Sequence, residues 1–344
     1  MTDRVAIVGA SIRTAGARDG AELWRMLAAG RGGRREIGAA ELERRGVPQE
    51  LRENPSFVPV SYQLDNPAGF DTAAFAISPA EAELMDPQHR AMLVCGYRAV
   101  ENAGHHVASL PDTVGVYVGA RPGPHAMLLR QSGAPVDQTK LVTGSYSDYL
   151  AARLSYTFGL RGPAISVQTT CSTSAVAIHL ATQAILAGEC DSAVAGGVAI
   201  DIEDAGYLHA EGGVFSPRGR CEPFTTHADG TVDGNGAAAV FLRRLDLALA
   251  EGDPILAVIA GTAVNNDGRD RVGFTAPSVS GQADVIGEAL DVAELNPGRI
   301  GLFETHGTGT AVGDPLEIEA AARAYREAGM TGRDLRLGTL MANV

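Results

Sequence analysis

Short apolar runs alternate with stretches of helical spacing along most of the chain. Strands are predicted at 5–10, 114–120, 164–169, 192–200, 254–264 and 298–306. Helices are predicted at 21–30, 79–104, 172–187 and 314–329, and 237–252 begins as a strand and ends as a helix. Pro87 is expected to interrupt the second helix. This alternation predicts an α/β protein with buried, mostly parallel strands.

Composition narrows the class of protein. The 344 residues are 45% hydrophobic, which is typical of a folded globular chain with a large core. The net charge is −13 and Lys140 is the single lysine, so the sequence predicts no nucleic-acid partner. The one basic run is a solvated loop face or a dock for an acidic partner: Arg31, Arg34, Arg35, Arg44 and Arg45.

The cysteine spacing and the N-terminal residues indicate which cellular compartment to expect. The four cysteines have no zinc-site spacing, so no metal is expected. The first residues, MTDRVAIVGAS, do not have the pattern of a signal peptide, and no apolar run is long enough to span a membrane. We therefore expect a soluble cytoplasmic protein with reduced thiols and no membrane partner.

Cys171 lies where a predicted strand meets a predicted helix, in the stretch VQTTCSTSAVAIHLA (167–181). The helix is apolar nearly all round and is expected to be buried, with the hydroxyls of Ser172, Thr173 and Ser174 capping its first turn. The positive end of a helix dipole favours thiolate over thiol, and its N–H groups can bind an oxyanion. Cys171 is thus a candidate acyl-accepting nucleophile, the alternative being a small residue that packs. Packing is the prediction for Cys95, Cys190 and Cys221.

A second polar stretch, ETHGTGTAVGDPLE (304–317), begins at the end of the last predicted strand. Its glycines allow a ligand to approach the backbone, and Thr308 and Thr310 offer hydroxyls. His306 could donate a hydrogen bond to an enolate or accept a proton, or it could be a loop histidine bonded to the backbone. Asp314 and Glu317 are predicted to form a capping box at the next helix.

These two stretches resemble the β-ketoacyl synthases, in particular the ketosynthase domains of modular polyketide synthases. Weaker similarity extends over the whole chain, including VAIVGASIR, ELMDPQHRAMLVCGYRAVENAG and NNDGRDRVGFTAPS. The resemblance implies a thiolase-like fold of two related halves in an αβαβα layered arrangement. The N-terminal half would be 1–252, with the cysteine, and the C-terminal half 253–344, with the HGTGT loop.

The resemblance also implies an activity and partners. The activity is decarboxylative Claisen condensation of an enzyme-bound acyl thioester with a malonyl-type extender, in polyketide or fatty acid biosynthesis. Cys171 would carry the acyl chain and His306 would stabilise the enolate, while Thr308 and Thr310 would bind the phosphopantetheine arm. The partners would be acyl carrier protein, a second copy of the chain and other polyketide synthase domains. No cofactor is implied beyond the phosphopantetheine that carries the substrates.

The sequence departs from the family pattern at three places. The chain stops at GTLMANV, before the histidine that completes the family's catalytic set, so we expect a truncated chain with an incomplete second half. Met341 stands where the family has a lysine that pairs with the glutamate matching Glu317, which would leave Glu317 either solvated or easier to protonate. Asn235 stands where the family often has glutamate.

Three functions are therefore compared. A ketosynthase would load Cys171 and condense. Another thiol acyltransferase or hydrolase would use Cys171 and His306 without decarboxylation. A catalytically impaired, ketosynthase-like scaffold would only dimerise or dock carrier protein, an alternative motivated by Met341 and the missing histidine.

Overall fold

Strands and helices alternate along the chain, as the hydrophobic pattern predicts. The computed structural model describes residues 4–111, 113–133, 135–271, 273, 276–330 and 335–344. Three residues of the stretch NNDGRDRVGFTAPS lie outside these ranges: Val272, Phe274 and Thr275.

The elements within those ranges are as follows. The strands are β1 (Val5–Thr14), β2 (Arg35–Glu36), β3 (Phe57–Val58), β4 (Val60–Ser61), β5 (Gly115–Ala120), β6 (Ala164–Ser166), β7 (Ser192–Ala199), β8 (Tyr207–Leu208), β9 (Gly236–Arg244), β10 (Ala257–Ile259), β11 (Leu302–Glu304) and β12 (Arg336–Gly338). The helices are α1 (Gly20–Ala28), α2 (Ala39–Arg44), α3 (Gln49–Arg52), α4 (Pro79–Leu84), α5 (Pro87–Asn102), α6 (His125–Gln131), α7 (Gln138–Ser145), α8 (Leu150–Phe158), α9 (Thr173–Leu186), α10 (Leu245–Glu251), α11 (Val279–Ala293) and α12 (Gly313–Glu327).

The break predicted at Pro87 is confirmed. The stretch 79–104 forms two helices, because Asp86 caps α5 by accepting a hydrogen bond from Gln88 N at 2.8 Å. Pro87 takes the first helical position, where its missing N–H costs nothing.

A six-stranded sheet has the order β10–β1–β9–β7–β5–β6. Strands β7, β5 and β6 are parallel, whereas β10–β1, β1–β9 and β9–β7 are antiparallel pairs. Strands β1, β7, β5 and β6 therefore run in the same direction, but most of the pairings within the sheet are antiparallel, so the expectation of mostly parallel strands holds for direction and is wrong for pairing. An apolar run reports that a strand is buried, but it does not report the direction in which the strand runs.

Helices cover both faces of this sheet. Helix α5 packs on β1 and β9, around buried Met92, Ala99 and Phe241. Helix α9 packs on β5 and β7 through buried Ala177 and Ala181. The sheet and these helices belong to a compact unit made of 1–26, 63–202 and 235–259.

A second compact unit comprises 27–62, 203–234 and 260–344. In it α11 and α12 pack through Ala283, Ala320 and Ala324, and β11 pairs with β12 in parallel. Leu302 and Leu337 of this two-stranded sheet are exposed. The boundary near Gly252 predicted from the sequence stays a prediction.

No helix among the described residues combines the length and the apolar character that a membrane span requires.

Candidate functional site

Cys171 lies in a 3₁₀ turn, Thr170–Ser172, which joins β6 to α9. The predicted helix and its position beside the cysteine are confirmed. The thiol is exposed, and the helix is buried on one side only, so the prediction of a helix buried all round is wrong. An exposed thiol at a helix N-terminus is open to substrate and to the positive end of the helix dipole.

Thr170, just before the cysteine, has a left-handed backbone with φ 54°. For a β-branched residue this conformation is a genuine outlier, because Cβ crowds the backbone. Strain of this kind persists only where the surrounding structure imposes it, and it is concentrated at functional sites. The sequence gives no signal for it, since threonine is a poor choice for a left-handed position.

The hydroxyls around Cys171 brace the turn. The Thr169 N–H donates to Thr173 Oγ1 at 3.0 Å, and the Ser172 hydroxyl donates to the Thr169 carbonyl at 2.8 Å. Ser172 is the N-cap residue of α9, yet its side chain makes no capping hydrogen bond. The prediction that these hydroxyls cap the helix is therefore wrong, because they bond back to Thr169.

Strand β5 packs closely against the residues around the Cys171 turn. A Cβ atom on Gly119 would lie 2.1 Å from the Val167 carbonyl oxygen and 2.3 Å from Thr173 Cγ2. The side chain of Gln168 donates to the Ala120 carbonyl at 2.8 Å. Only glycine at 119 lets the strand approach the cysteine turn this closely.

The other cysteines have different environments. Cys95 and Cys190 are buried, and Cys221 is half-buried. Burial raises the pKa of the Cys95 and Cys221 thiols and raises the pKa of Cys190 to about 11. The predicted packing role is confirmed for Cys95 and Cys190, which lie in the hydrophobic core. The raised pKa values make all three thiols poor nucleophiles near neutral pH.

His306 lies two residues after β11, and its side chain is exposed. Gly307 and Gly309 on the same loop have left-handed backbones, with φ 55° and 68°. A Cβ on Gly307 would lie 2.2 Å from Thr339 Oγ1. The loop therefore needs glycine at these positions for both conformation and space.

Thr308 and Thr310 turn their hydroxyls towards each other, with 3.0 Å between the oxygens. Thr310 Oγ1 also accepts a hydrogen bond from Gly313 N at 3.1 Å. The pair has two hydroxyl protons and uses one of them in the mutual bond. The other proton can be donated to a ligand.

Glu317 binds the backbone that carries His306. Its Oε1 accepts from His306 N at 2.5 Å, and its Oε2 accepts from Gly307 N at 3.0 Å. Glu317 is therefore not part of a capping box, and it is not left solvated where Met341 replaces the family's lysine. A carboxylate that accepts two adjacent N–H groups is a strong, charge-assisted contact.

Asp314 is not the helix cap either. Helix α12 begins at Gly313, and the residue before it, Val312, makes no side-chain cap. The Asp314 carboxylate is buried and accepts from Gly309 N at 3.1 Å and from Phe224 N at 2.7 Å. It joins two loops that are far apart in the sequence.

Met341 lies in the 3₁₀ turn Leu340–Asn343 and is exposed. The turn is held by Glu304, whose Oε1 accepts from Leu340 N at 2.5 Å. Gly33 N donates to the Asn343 carbonyl at 2.7 Å.

Asn235 is buried, and its side-chain oxygen accepts a hydrogen bond from Asp201 N. It thus ties the chain after β7 to the start of β9, which gives this departure from the family pattern a structural role.

The basic run is largely engaged within the chain. Arg35 makes two 2.8 Å hydrogen bonds to Glu41, and Arg45 donates to the same carboxylate at 2.6 Å. Arg34 donates to the Gly219 carbonyl at 2.6 Å. These bonds favour the interpretation as a loop face over a dock for an acidic partner.

One group in the described part of the chain has metal-ligand spacing. Atoms of His105, Glu251 and Asp253 lie within 4.8 Å of one another. The Arg243 guanidinium donates to Glu251 at 2.9 Å and to Asp253 at 2.5 Å. The positive charge of Arg243 therefore already pairs with both carboxylates.

The structure thus brings together the candidates of the second stretch. They lie in the unit that contains 260–344: His306, Thr308, Thr310, Asp314 and Glu317. Cys171 belongs to the other unit, within 63–202.

Two family models match this chain. Residues 2–248 match the β-ketoacyl synthase N-terminal domain, and residues 256–343 match the β-ketoacyl synthase C-terminal domain. Together with the strand–cysteine–helix turn and the HGTGT loop, these matches show that the chain belongs to the β-ketoacyl synthase family.

Curated proteins and solved structures that are similar to this chain indicate which type of β-ketoacyl synthase it resembles. A phenolphthiocerol/phthiocerol polyketide synthase polypeptide of Mycobacterium tuberculosis is 39% identical over 99% of this chain, which spans 24% of that protein. Ketosynthase twelve of the bacillaene polyketide synthase from Bacillus amyloliquefaciens superposes with a TM-score of 0.92 at 36% identity, over 100% of this chain and 61% of that one. The module 1 ketosynthase of the same synthase gives a TM-score of 0.86 at 33% identity, over 99% and 61%.

The chain is therefore similar to the ketosynthase domains of modular polyketide synthases, and it has the predicted thiolase-like α/β fold. The names of these relatives do not favour the scaffold alternative.

Proposed function

We propose that Cys171 accepts an acyl chain as a thioester and that His306 supports condensation with a malonyl-type extender. The observation that carries this proposal is the position of the exposed Cys171 thiol, at the start of α9 and directly after a strained residue. That position suits a nucleophile, because the helix dipole and the N–H groups of the first turn favour negative charge there.

The chemistry proceeds in two steps. The Cys171 thiolate attacks the acyl thioester, so that a carbon–sulfur bond to Cys171 forms and the carbon–sulfur bond to the carrier breaks. The carrier sulfur leaves as a thiolate and takes up a proton from solvent. The extender then loses carbon dioxide, and the electron pair of the broken carbon–carbon bond remains as an enolate. His306 donates a hydrogen bond to the enolate oxygen. The enolate carbon attacks the acyl group and releases the Cys171 thiolate.

Phosphopantetheine is the proposed carrier of both substrates, as the arm of acyl carrier protein. The hydroxyl pair of Thr308 and Thr310 supports this assignment, since it has one proton to donate to an amide or carbonyl oxygen of such an arm. Other polyketide synthase domains as partners and a cytoplasmic location belong to the same proposal.

The test loads the protein with an acyl pantetheine thioester and then adds malonyl pantetheine thioester. We expect a β-ketoacyl thioester and carbon dioxide. The His306→Ala variant should load but not condense, and Cys171→Ala should do neither. Release of free acid alone would indicate a hydrolase, and failure to load would contradict both enzyme assignments.

A homodimer is proposed from the edge of the six-stranded sheet. Strand β6 is the last strand, so its outer backbone groups can pair with a second copy. Apolar side chains near this edge are exposed, with Tyr156 at 84% and Ile165 at 45%. Light scattering should give twice the chain mass for wild type and a monomer for Ile165→Lys. Leu249→Lys, at an exposed position of α10, should stay dimeric, and a monomeric wild type would contradict the proposal.

A further inference from the structure

The carboxylate of Asp314 bonds to two separate segments of the chain. The residue is 4% exposed, and each oxygen accepts one backbone N–H, from Gly309 at 3.1 Å and from Phe224 at 2.7 Å. A buried carboxylate is costly unless its oxygens are satisfied, so these bonds account for the burial.

Phe224 is an unusual residue for this contact because its backbone is left-handed, with φ 59°. Residues other than glycine populate this region only with support from their surroundings. The N–H that Asp314 binds belongs to this same residue. The carboxylate is therefore placed to hold the strained conformation.

Further contacts join the two segments. Gly230 N donates to the Gly309 carbonyl at 2.8 Å, and the Cys221 thiol lies 3.7 Å from the Gly307 carbonyl oxygen. A Cβ on Gly309 would lie 3.0 Å from the Gly230 carbonyl oxygen. Segment 221–230 thus lies directly against the loop that carries Thr308.

We infer that Asp314 is a positioning residue for the extender half of the reaction. Its carboxylate holds Phe224 in the left-handed conformation and thereby fixes segment 221–230 and the 307–310 loop as one body. This inference rests on the proposed function, in which that loop serves the extender. It predicts that Asp314 supports condensation and not the loading of Cys171.

A glycine substitution at position 224 distinguishes the positioning role of Asp314 from a general role in stability. Glycine adopts a positive φ without cost, so it needs no clamp, whereas alanine carries the same Cβ as phenylalanine. Asp314→Asn keeps a single acceptor oxygen, so at most one of the two bonds survives. The variant should therefore matter when residue 224 is phenylalanine or alanine, and much less when it is glycine.

The experiment places Asp314→Asn in three backgrounds: wild type, Phe224→Ala and Phe224→Gly. Condensation is measured from enzyme already acylated at Cys171, alongside the loading rate and hydrogen exchange of peptides that contain residues 224 and 309. We expect about a tenfold loss of condensation in the first two backgrounds and about twofold or less in the third. Loading should be unchanged, and the peptide containing residue 224 should exchange faster only in the first two backgrounds.

An equal effect of Asp314→Asn in all three backgrounds would overturn the inference, as would unchanged exchange in the wild-type background. A wild-type protein that does not condense would instead refute the proposed function. In that case the exchange measurements would still decide whether Asp314 holds Phe224.

Discussion

Glu317 uses both carboxylate oxygens on the backbone that carries His306. The bonds to His306 N and Gly307 N, at 2.5 and 3.0 Å, fix the orientation of adjacent peptide groups. The direction in which the imidazole leaves the backbone depends on these peptides. Glu317 therefore acts on His306 through the main chain.

Replacing Glu317 by glutamine should impair condensation more than loading. Glutamine has one acceptor oxygen, and its NH₂ group would face a backbone N–H. We expect condensation to fall about tenfold, with loading of Cys171 within about twofold of wild type. Single-turnover assays that start from acylated enzyme measure the two steps separately.

Glu319→Gln is the matched control, since this glutamate is exposed on the same helix. It should leave both rates unchanged. Equal losses in loading and condensation for Glu317→Gln would contradict a role confined to the loop.

The sequence predicts candidate residues better than it predicts their contacts. Cys171 and His306 were identifiable because Cys171 follows a predicted strand and His306 ends one, each beside a polar stretch rich in hydroxyls or glycine. The contact between Asp314 and Phe224 joins positions 90 residues apart. A D-x-x-E pattern before a helix indicates a cap locally, and only the tertiary fold brought other N–H donors to those carboxylates.

The turn before α9 is held in a strained conformation by its neighbours. Thr170 is left-handed, whereas the φ of Thr169 is negative, at −136°. The bonds from Thr169 to Thr173 and Ser172 close the turn around this pair.

Thr170→Gly should relieve this strain. Because glycine also gains freedom in the unfolded chain, we expect a net increase of about 1 kcal/mol in the free energy of unfolding. Thr169→Gly, which relieves no strain, should lower it by about 0.5 kcal/mol. Urea unfolding of the two variants measures the difference, and a destabilised Thr170→Gly would show that the threonine is not strained.

Helices with a strong apolar periodicity were predicted from the sequence, and helices with a weak periodicity were missed. The pattern identifies α5, α9 and α12 to within a few residues, but it assigns nothing to α6, α7, α8 or α11. Helices α6–α8 have 7, 8 and 9 residues, so each contains few repeats of the apolar spacing that indicates a helix. Strand pairing depends on partners far away in the sequence, so the antiparallel pairing of β9 and β10 was not predicted.

At the scale of the whole molecule, buried histidines make stability depend on pH. Burial, with a further contribution from nearby Arg153, lowers the pKa of His89 to about 4. The unfolded residue titrates near 6.5, so between these values the unfolded chain binds more protons than the folded one. Stability conferred by the neutral imidazole is therefore complete above pH 6.5 and is lost as the pH falls towards 4.

His89→Gln should remove part of this dependence. The full contribution of His89 is on the order of 3 kcal/mol between pH 6.5 and 4. Burial also lowers the pKa of His125, so some slope should remain. Urea unfolding at several pH values gives the slope. The exposed His106→Gln control should keep it, and an unchanged slope in His89→Gln would contradict the assignment.

Acylation of Cys171 is the central claim, and intact-mass spectrometry after incubation with an acyl pantetheine thioester tests it most directly. We predict that wild type and Cys221→Ala gain the mass of one acyl group on the peptide containing Cys171, and that Cys171→Ala gains none. Cys221 is the matched control because it is half-buried and burial raises the pKa of its thiol. An equal mass gain in Cys171→Ala, or no gain in wild type, would contradict the account.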